Sequence, residues 1–218
     1  MQKDNLHHFF ENIENGQDLG HHITTWWFIG AKIIIFFGSI GNKTTPKISH
    51  TSTICNVRKL SKNRISFNLL ESTKKMNVNI STKKYITRVA DRKYVLTGFK
   101  KNENLYWDSG IKLNEEQKKA FKKFKNIVIG KKYSRMLRLR ATYAVRLMQY
   151  ISNSLHAGIE NIDFVYKKDL DNIPSFFCSE LAQRKNYELK IITEEEYNNN
   201  PHPDPMAFFK GKNLKQLQ

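Results

Sequence analysis

Between residues 48 and 99 the chain passes through a series of short β-branched and aromatic runs, separated by joins too brief to hold a helix. Residues 48–57, 65–71, 76–80, 84–89 and 94–99 each read as a strand. Parallel neighbours need crossovers of a dozen or more residues, so connections this short prescribe an antiparallel sheet. The run before them, residues 29–38, is rich in isoleucine and phenylalanine and bounded by glycines. It reads as a further, buried strand, followed by a loop over residues 39–47.

Past residue 110 the period changes. Asn114 and Gln117 have the spacing of a capping box. Ala120, Phe121, Phe124 and Val128 then fall on one helical face, with Lys118, Lys119, Lys122, Lys123 and Lys125 around the rest. Gly130 ends this helix, and a second is expected over residues 135–152 with Met136, Leu139, Tyr143, Leu147 and Tyr150 on its apolar side. Residues 156–168 return to loop and strand around Phe164-Val165-Tyr166. A short helix opens at Cys178 and runs to about residue 186. Met206-Ala207-Phe208-Phe209, behind the turn Pro203-Asp204-Pro205, reads as an apolar docking anchor. Strands followed by helices specify an α+β chain. We expect a polar lead-in over residues 1–28 with a short helix near 6–13, one domain over 29–210, and a tail over 211–218.

Charge divides unevenly along this order. The net charge is +17, and residues 112–146 hold twelve Lys or Arg against Glu115 and Glu116, a local balance of +10. Such a basic helical segment, residues 112–152, is the footprint of an anionic partner, either acidic lipid or nucleic acid. The solvated sides of two amphipathic helices would give the same pattern, as would a lysine- and asparagine-rich composition throughout, and no nucleic-acid-binding motif distinguishes them. The first residues lack the basic-then-apolar order of a signal peptide, and the apolar run 26–40 is too short and interrupted to span a membrane. A cytoplasmic setting with reduced thiols is therefore the default expectation. Cys55 and Cys178 would pair only if the fold brought them together. His7-His8 and His21-His22 are adjacent pairs without ligand-like spacing, so surface histidines are expected rather than a metal site.

Cys178 has a further property. It follows Phe176-Phe177 at a helix start, where the helix dipole favours a thiolate. A lone cysteine is otherwise a small buried hydrophobe. Cysteine hydrolases need an imidazole to move a proton and a polar group to hold that imidazole. His50 opens one strand and Glu71 ends the next, so a hairpin would set them side by side. Backbone N–H groups at the helix start would face a developing oxyanion. Taken singly, His50, Glu71 and Glu180 also read as loop, strand-end and first-turn residues.

In this order the residues resemble a known family. Gly30-Ala31-Lys32-Ile33-Ile34, Ser49-His50-Thr51, Leu70-Glu71-Ser72, Gly130-Lys131-Lys132-Tyr133-Ser134 and Cys178-Ser179-Glu180-Leu181 are similar, over residues 28–210, to the motifs of the circularly permuted papain-like NlpC-type enzymes, the YaeF/YiiX-like amidase group. Ala31 and Ser134 stand where that group has Asp. The resemblance implies an α+β permuted papain-like fold, an antiparallel sheet packed against helices with histidine ahead of cysteine in the chain. It implies a thiol hydrolase (amidase or peptidase) or acyltransferase that attacks an amide, ester or thioester carbonyl through an acyl-enzyme, with no cofactor. Cys178 would be the nucleophile, His50 the proton carrier and Glu71 its orienting group, with Tyr133 and Ser179 near the substrate or oxyanion. The substrate would be a peptide- or lipid-type acyl group. The competing expectation is a non-catalytic binding module that uses the basic 112–150 face on anionic lipid or nucleic acid.

Overall fold

The computed structural model describes residues 2–23, 44–61, 64–76, 85–96, 103–133, 170–173, 175–200 and 203–217, together with Lys32, Ile35, Phe36 and Ser39. The elements, in chain order, are α1 (Gln2–Asn12), β1 (Asp18–Ile23), β2 (His50–Ser61), β3 (Arg64–Met76), β4 (Tyr85–Leu96), β5 (Glu103–Asp108), α2 (Glu115–Val128), β6 (Lys132–Tyr133), a 3₁₀ turn (Leu170–Asn172), β7 (Ser175–Phe176), α3 (Cys178–Glu188), α4 (Glu194–Asn199), α5 (Pro205–Phe208) and β8 (Leu214–Gln216). The architecture is α+β. Its centre is an open antiparallel sheet of five strands, β4-β3-β2-β1-β5, extended by β6 and β7 at one edge and β8 at the other. Among the described strands, only the β6–β7 pair is parallel.

The antiparallel strands follow from the short joins. β2 and β3 form a hairpin with Thr53 opposite Leu70, and β3 pairs with β4 from Ile65↔Leu96 to Met76↔Tyr85. The separate strands expected at 84–89 and 94–99 are one continuous β4, because the polar run Asp91-Arg92-Lys93 pairs straight across β3. β3 likewise extends past Glu71 to Met76, so Glu71 lies inside a strand and not at its end.

Two expectations about the first forty residues change. The lead-in holds α1 and an inner strand: β1 pairs with β2 on one side and β5 on the other. The segment reads as polar because His21, His22 and Asp18 lie in it, and the burial of His21 and Asp18 depends on partners far along the chain. In the run 29–38, the described residues Lys32, Ile35 and Phe36 are helical, not extended. Ile35 packs against a buried cluster while Phe36 is exposed. β-branched residues favour strands only weakly, and tertiary packing overrides that preference. The tail is also structured, since β8 pairs with β5 and Leu217 is buried.

Packing fills both sides of the sheet. Phe9 and Ile13 of α1 join Leu19, Ile54, Ile65, Phe67, Leu69, Leu105 and Trp107 in one cluster. Phe121, Phe124 and Val128 of α2 join Leu181 and Leu189 of α3, with Cys55, Leu70 and Phe176, in another. The expected capping box of α2 is present: Asn114 Oδ1 accepts from Gln117 N at 2.8 Å and Gln117 Oε1 accepts from Asn114 N at 3.0 Å. Gly130 leaves that helix with φ +89°, a conformation that favours glycine. Met206, Phe208 and Phe209 are buried with Ile48, Tyr106 and Ala182, which gives the expected anchor its contacts. The helix expected at 135–152 and the strand around 164–166 lie outside the described residues.

Candidate active site

β2 begins at His50 and β3 carries Glu71, so the hairpin brings an imidazole to a carboxylate. His50 Nε2 lies 2.9 Å from Glu71 Oε2. Glu71 is buried, whereas 27% of the His50 side chain is exposed. The ring is also close enough to Cys178 for the sulfur to act on its charge. With Nε2 turned to Glu71, Nδ1 is the nitrogen left for the sulfur. The three residues proposed from the sequence are thus brought together, 21 and 107 residues apart along the chain from His50 to Glu71 and from Glu71 to Cys178.

Charge at His50 follows from these neighbours. Burial alone would lower the ring's proton affinity. The charge and hydrogen bond of Cys178, then the hydrogen bond and charge of Glu71, oppose that and carry its pKa from 6.5 up to about 10. The ring is therefore held as an imidazolium across neutral pH.

Several contacts fix the approach to the sulfur. Ser72 is the residue after Glu71, and successive strand residues point to opposite faces. Its Oγ donates to Phe176 O at 2.6 Å, two residues ahead of Cys178. Lys131 Nζ donates to the carbonyls of Leu170 (2.6 Å), Asp171 (3.0 Å) and Ile173 (2.9 Å), which pins the 3₁₀ turn that leads into β7. Glu180 Oε2 accepts from Phe177 N at 2.7 Å, a first-turn contact across the helix start. The N-cap Phe177 contributes no side-chain cap of its own. Cys178 is the first residue of α3 and is 2% exposed, whereas the His50 side chain beside it is more open.

The other two site candidates fall differently. Tyr133 lies in β6 opposite Phe176, two residues ahead of Cys178; its side chain lies outside what is described. Ser179 is completely buried and its Oγ donates to Pro203 O, so the hydroxyl is committed to docking the 203–205 turn.

His21 was not foreseen here. Expected on the surface, it is 6% exposed, pairs across the ladder with His50, and holds its ring centroid 5.8 Å from that of His50 with the planes tilted by 59°. Its Nε2 meets Ser52 Oγ at 2.8 Å. Nothing in the local pattern of Gly20-His21-His22 signals this, because the neighbour comes from a strand about thirty residues later. Cys55 and Cys178 are not joined in a disulfide, and Cys55 packs in the helix-side cluster. Among the described residues, no group of three or more His, Cys, Asp or Glu is arranged to hold a metal ion. No helix among them is long and apolar enough to cross a membrane. Set against known proteins, the chain matches no family model, no curated protein and no solved structure.

Proposed function

We propose that this chain is a thiol hydrolase or acyltransferase of the permuted papain-like kind, with Cys178 as nucleophile, His50 as proton carrier and Glu71 holding His50. One observation carries the reading: a single imidazole lies 2.9 Å from a buried carboxylate and interacts electrostatically with the cysteine at a helix start. Each chemical role has a group in reach. The helix dipole at the start of α3 and the His50 imidazolium stabilise a Cys178 thiolate. The thiolate adds to an amide, ester or thioester carbonyl, and the backbone N–H groups that open α3 take the oxyanion. His50 gives its proton to the leaving group as the tetrahedral species collapses to a thioester. The neutral ring then accepts a proton from water or another acceptor, which attacks the thioester and frees Cys178.

An electrophilic acyl-type activity probe tests this, read by mass spectrometry at Cys178. Labelling is expected in the native chain and lost in Cys178→Ala. Labelling of His50→Ala at the native rate overturns the dyad.

A second reading draws on α2. Lys118, Lys119, Lys122 and Lys123 are all exposed on its outer side, while Phe121, Phe124 and Val128 face the core. That surface suits an anionic lipid headgroup or nucleic acid, with or without catalysis at Cys178. Retention on anionic vesicles or on nucleic acid that falls with salt, survives Cys178→Ala and is lost on reversing Lys118 and Lys122 supports it. Retention indifferent to those reversals overturns it.

A further inference from the structure

Away from the thiol, four charged side chains meet between α3 and the sheet. Asp18 and Lys185 are wholly buried, and Asp108 is 3% exposed. Lys185 Nζ donates to Gly16 O at 2.7 Å and to Asp18 Oδ1 and Oδ2 at 2.8 and 2.9 Å, which uses all three of its N–H groups. Asp18 Oδ1 also accepts from Thr53 Oγ1 at 2.6 Å. Lys212 Nζ stands 3.8 Å from Asp18 Oδ2, 3.6 Å from Asp108 Oδ2 and 3.5 Å above the Phe208 ring. Two carboxylates and two ammonium groups balance.

The positions of these residues relate the cluster to the candidate site. Lys185 comes seven residues after Cys178, two helical turns along the same face and about 10 Å down the axis. Thr53 comes three residues after His50 on β2, and Asp18↔Thr53 and His21↔His50 belong to one β1–β2 ladder. The bonds thus run from the strand that carries the imidazole, through Asp18, into the helix that carries the sulfur.

We propose that the Asp18–Lys185 pair is a positioning device that sets the register of α3 on the sheet and so holds Cys178 against His50. This rests on the reading of Cys178 and His50 as a reactive pair. The apolar contacts under α3, Leu181 and Leu189 against Leu70, Cys55 and the residues of α2, are non-directional and tolerate a small slide or roll. A buried ammonium saturated by three oxygens does not, because any slide leaves it unpaired in an apolar setting. The sulfur–imidazole contact needs the tighter tolerance, since a displacement of about 1 Å cripples a proton relay.

The test compares the native chain with Lys185→Met and with the charge-balanced double variant Asp18→Asn/Lys185→Met. The rate of iodoacetamide alkylation at Cys178 is followed against pH by peptide mass spectrometry, beside circular dichroism and thermal melting. The native chain is expected to react at about pH 6 well ahead of an ordinary thiol, which titrates near 8.5. The double variant is expected to melt cooperatively with native circular dichroism, yet to lose tenfold or more of the rate at about pH 6 and to take on an ordinary thiol profile. A double variant with a shifted melting midpoint but the native alkylation profile overturns the positioning role and leaves the dyad standing. A double variant that does not fold also overturns it, because the pair is then a requirement of the fold. An ordinary profile in the native chain overturns the dyad itself, and the positioning role with it.

Discussion

Glu71 Oε2 lies 2.9 Å from His50 Nε2, and the carboxylate is buried while the imidazole reaches solvent. A buried carboxylate on one ring nitrogen fixes the ring plane and favours the charged form of the ring. Glu71→Gln keeps an acceptor but removes the charge. We expect it to slow Cys178 labelling at neutral pH, and Glu71→Ala to slow it further, by about 10²-fold. Equal labelling in the native chain and both variants would remove Glu71 from the relay.

His50 gives a pH dependence whose sign is set by its raised pKa, 6.5 to about 10. The folded state binds this proton more tightly than the unfolded chain does. Its stabilisation is therefore fully present below about pH 6.5 and lost as pH rises through about 10. His50→Gln should lower the melting midpoint more at pH 6 than above pH 10, on the order of the linkage relation. The opposite ordering would mean that the ring is neutral in the folded state.

Ser72→Ala removes the donor from Phe176 O in a buried setting. Leaving a buried carbonyl unpaired costs about 1–3 kcal/mol. Denaturant unfolding should register that loss, and Cys178 labelling should slow as well, since Phe176 lies just ahead of the sulfur. A loss of stability with labelling untouched would confine Ser72 to the fold.

At Gly20 there is no room for a methyl group. An added Cβ would meet Ile48 Cδ1 at 2.7 Å and Phe209 Cε2 at 3.0 Å. Gly20→Ala should destabilise by about 1–3 kcal/mol through overpacking. The melting midpoint checks it, and an unchanged midpoint would show that Ile48 and Phe209 repack freely.

Phe124 and Lys123 are neighbours on α2 with opposite fates, one buried and one exposed. Phe124→Ala should cost about 3–5 kcal/mol. Lys123→Ala should stay within about 0.5 kcal/mol. Comparable losses would mean that α2 does not pack as described.

The sequence determined what depends on neighbours close along the chain. The Asn114–Gln117 box, the glycine exit at Gly130, the β2–β3 hairpin and the start of α3 at Cys178 are local, set by caps, turns and short joins. The hairpin was enough to set His50 beside Glu71, because antiparallel strands with a short join bring early and late residues opposite one another. Tertiary structure decided the rest. Whether Asp18, His21 and Lys185 are buried depends on partners up to 169 residues away, and a polar side chain reads as exposed until such a partner is known. The same holds for the helical turn at Lys32, Ile35 and Phe36, where packing outweighed β-branched preference, and for Ser179, whose hydroxyl went to Pro203. Charge pairs and close packing form only when distant segments meet, and their desolvation is a property of the assembled core rather than of any window of sequence.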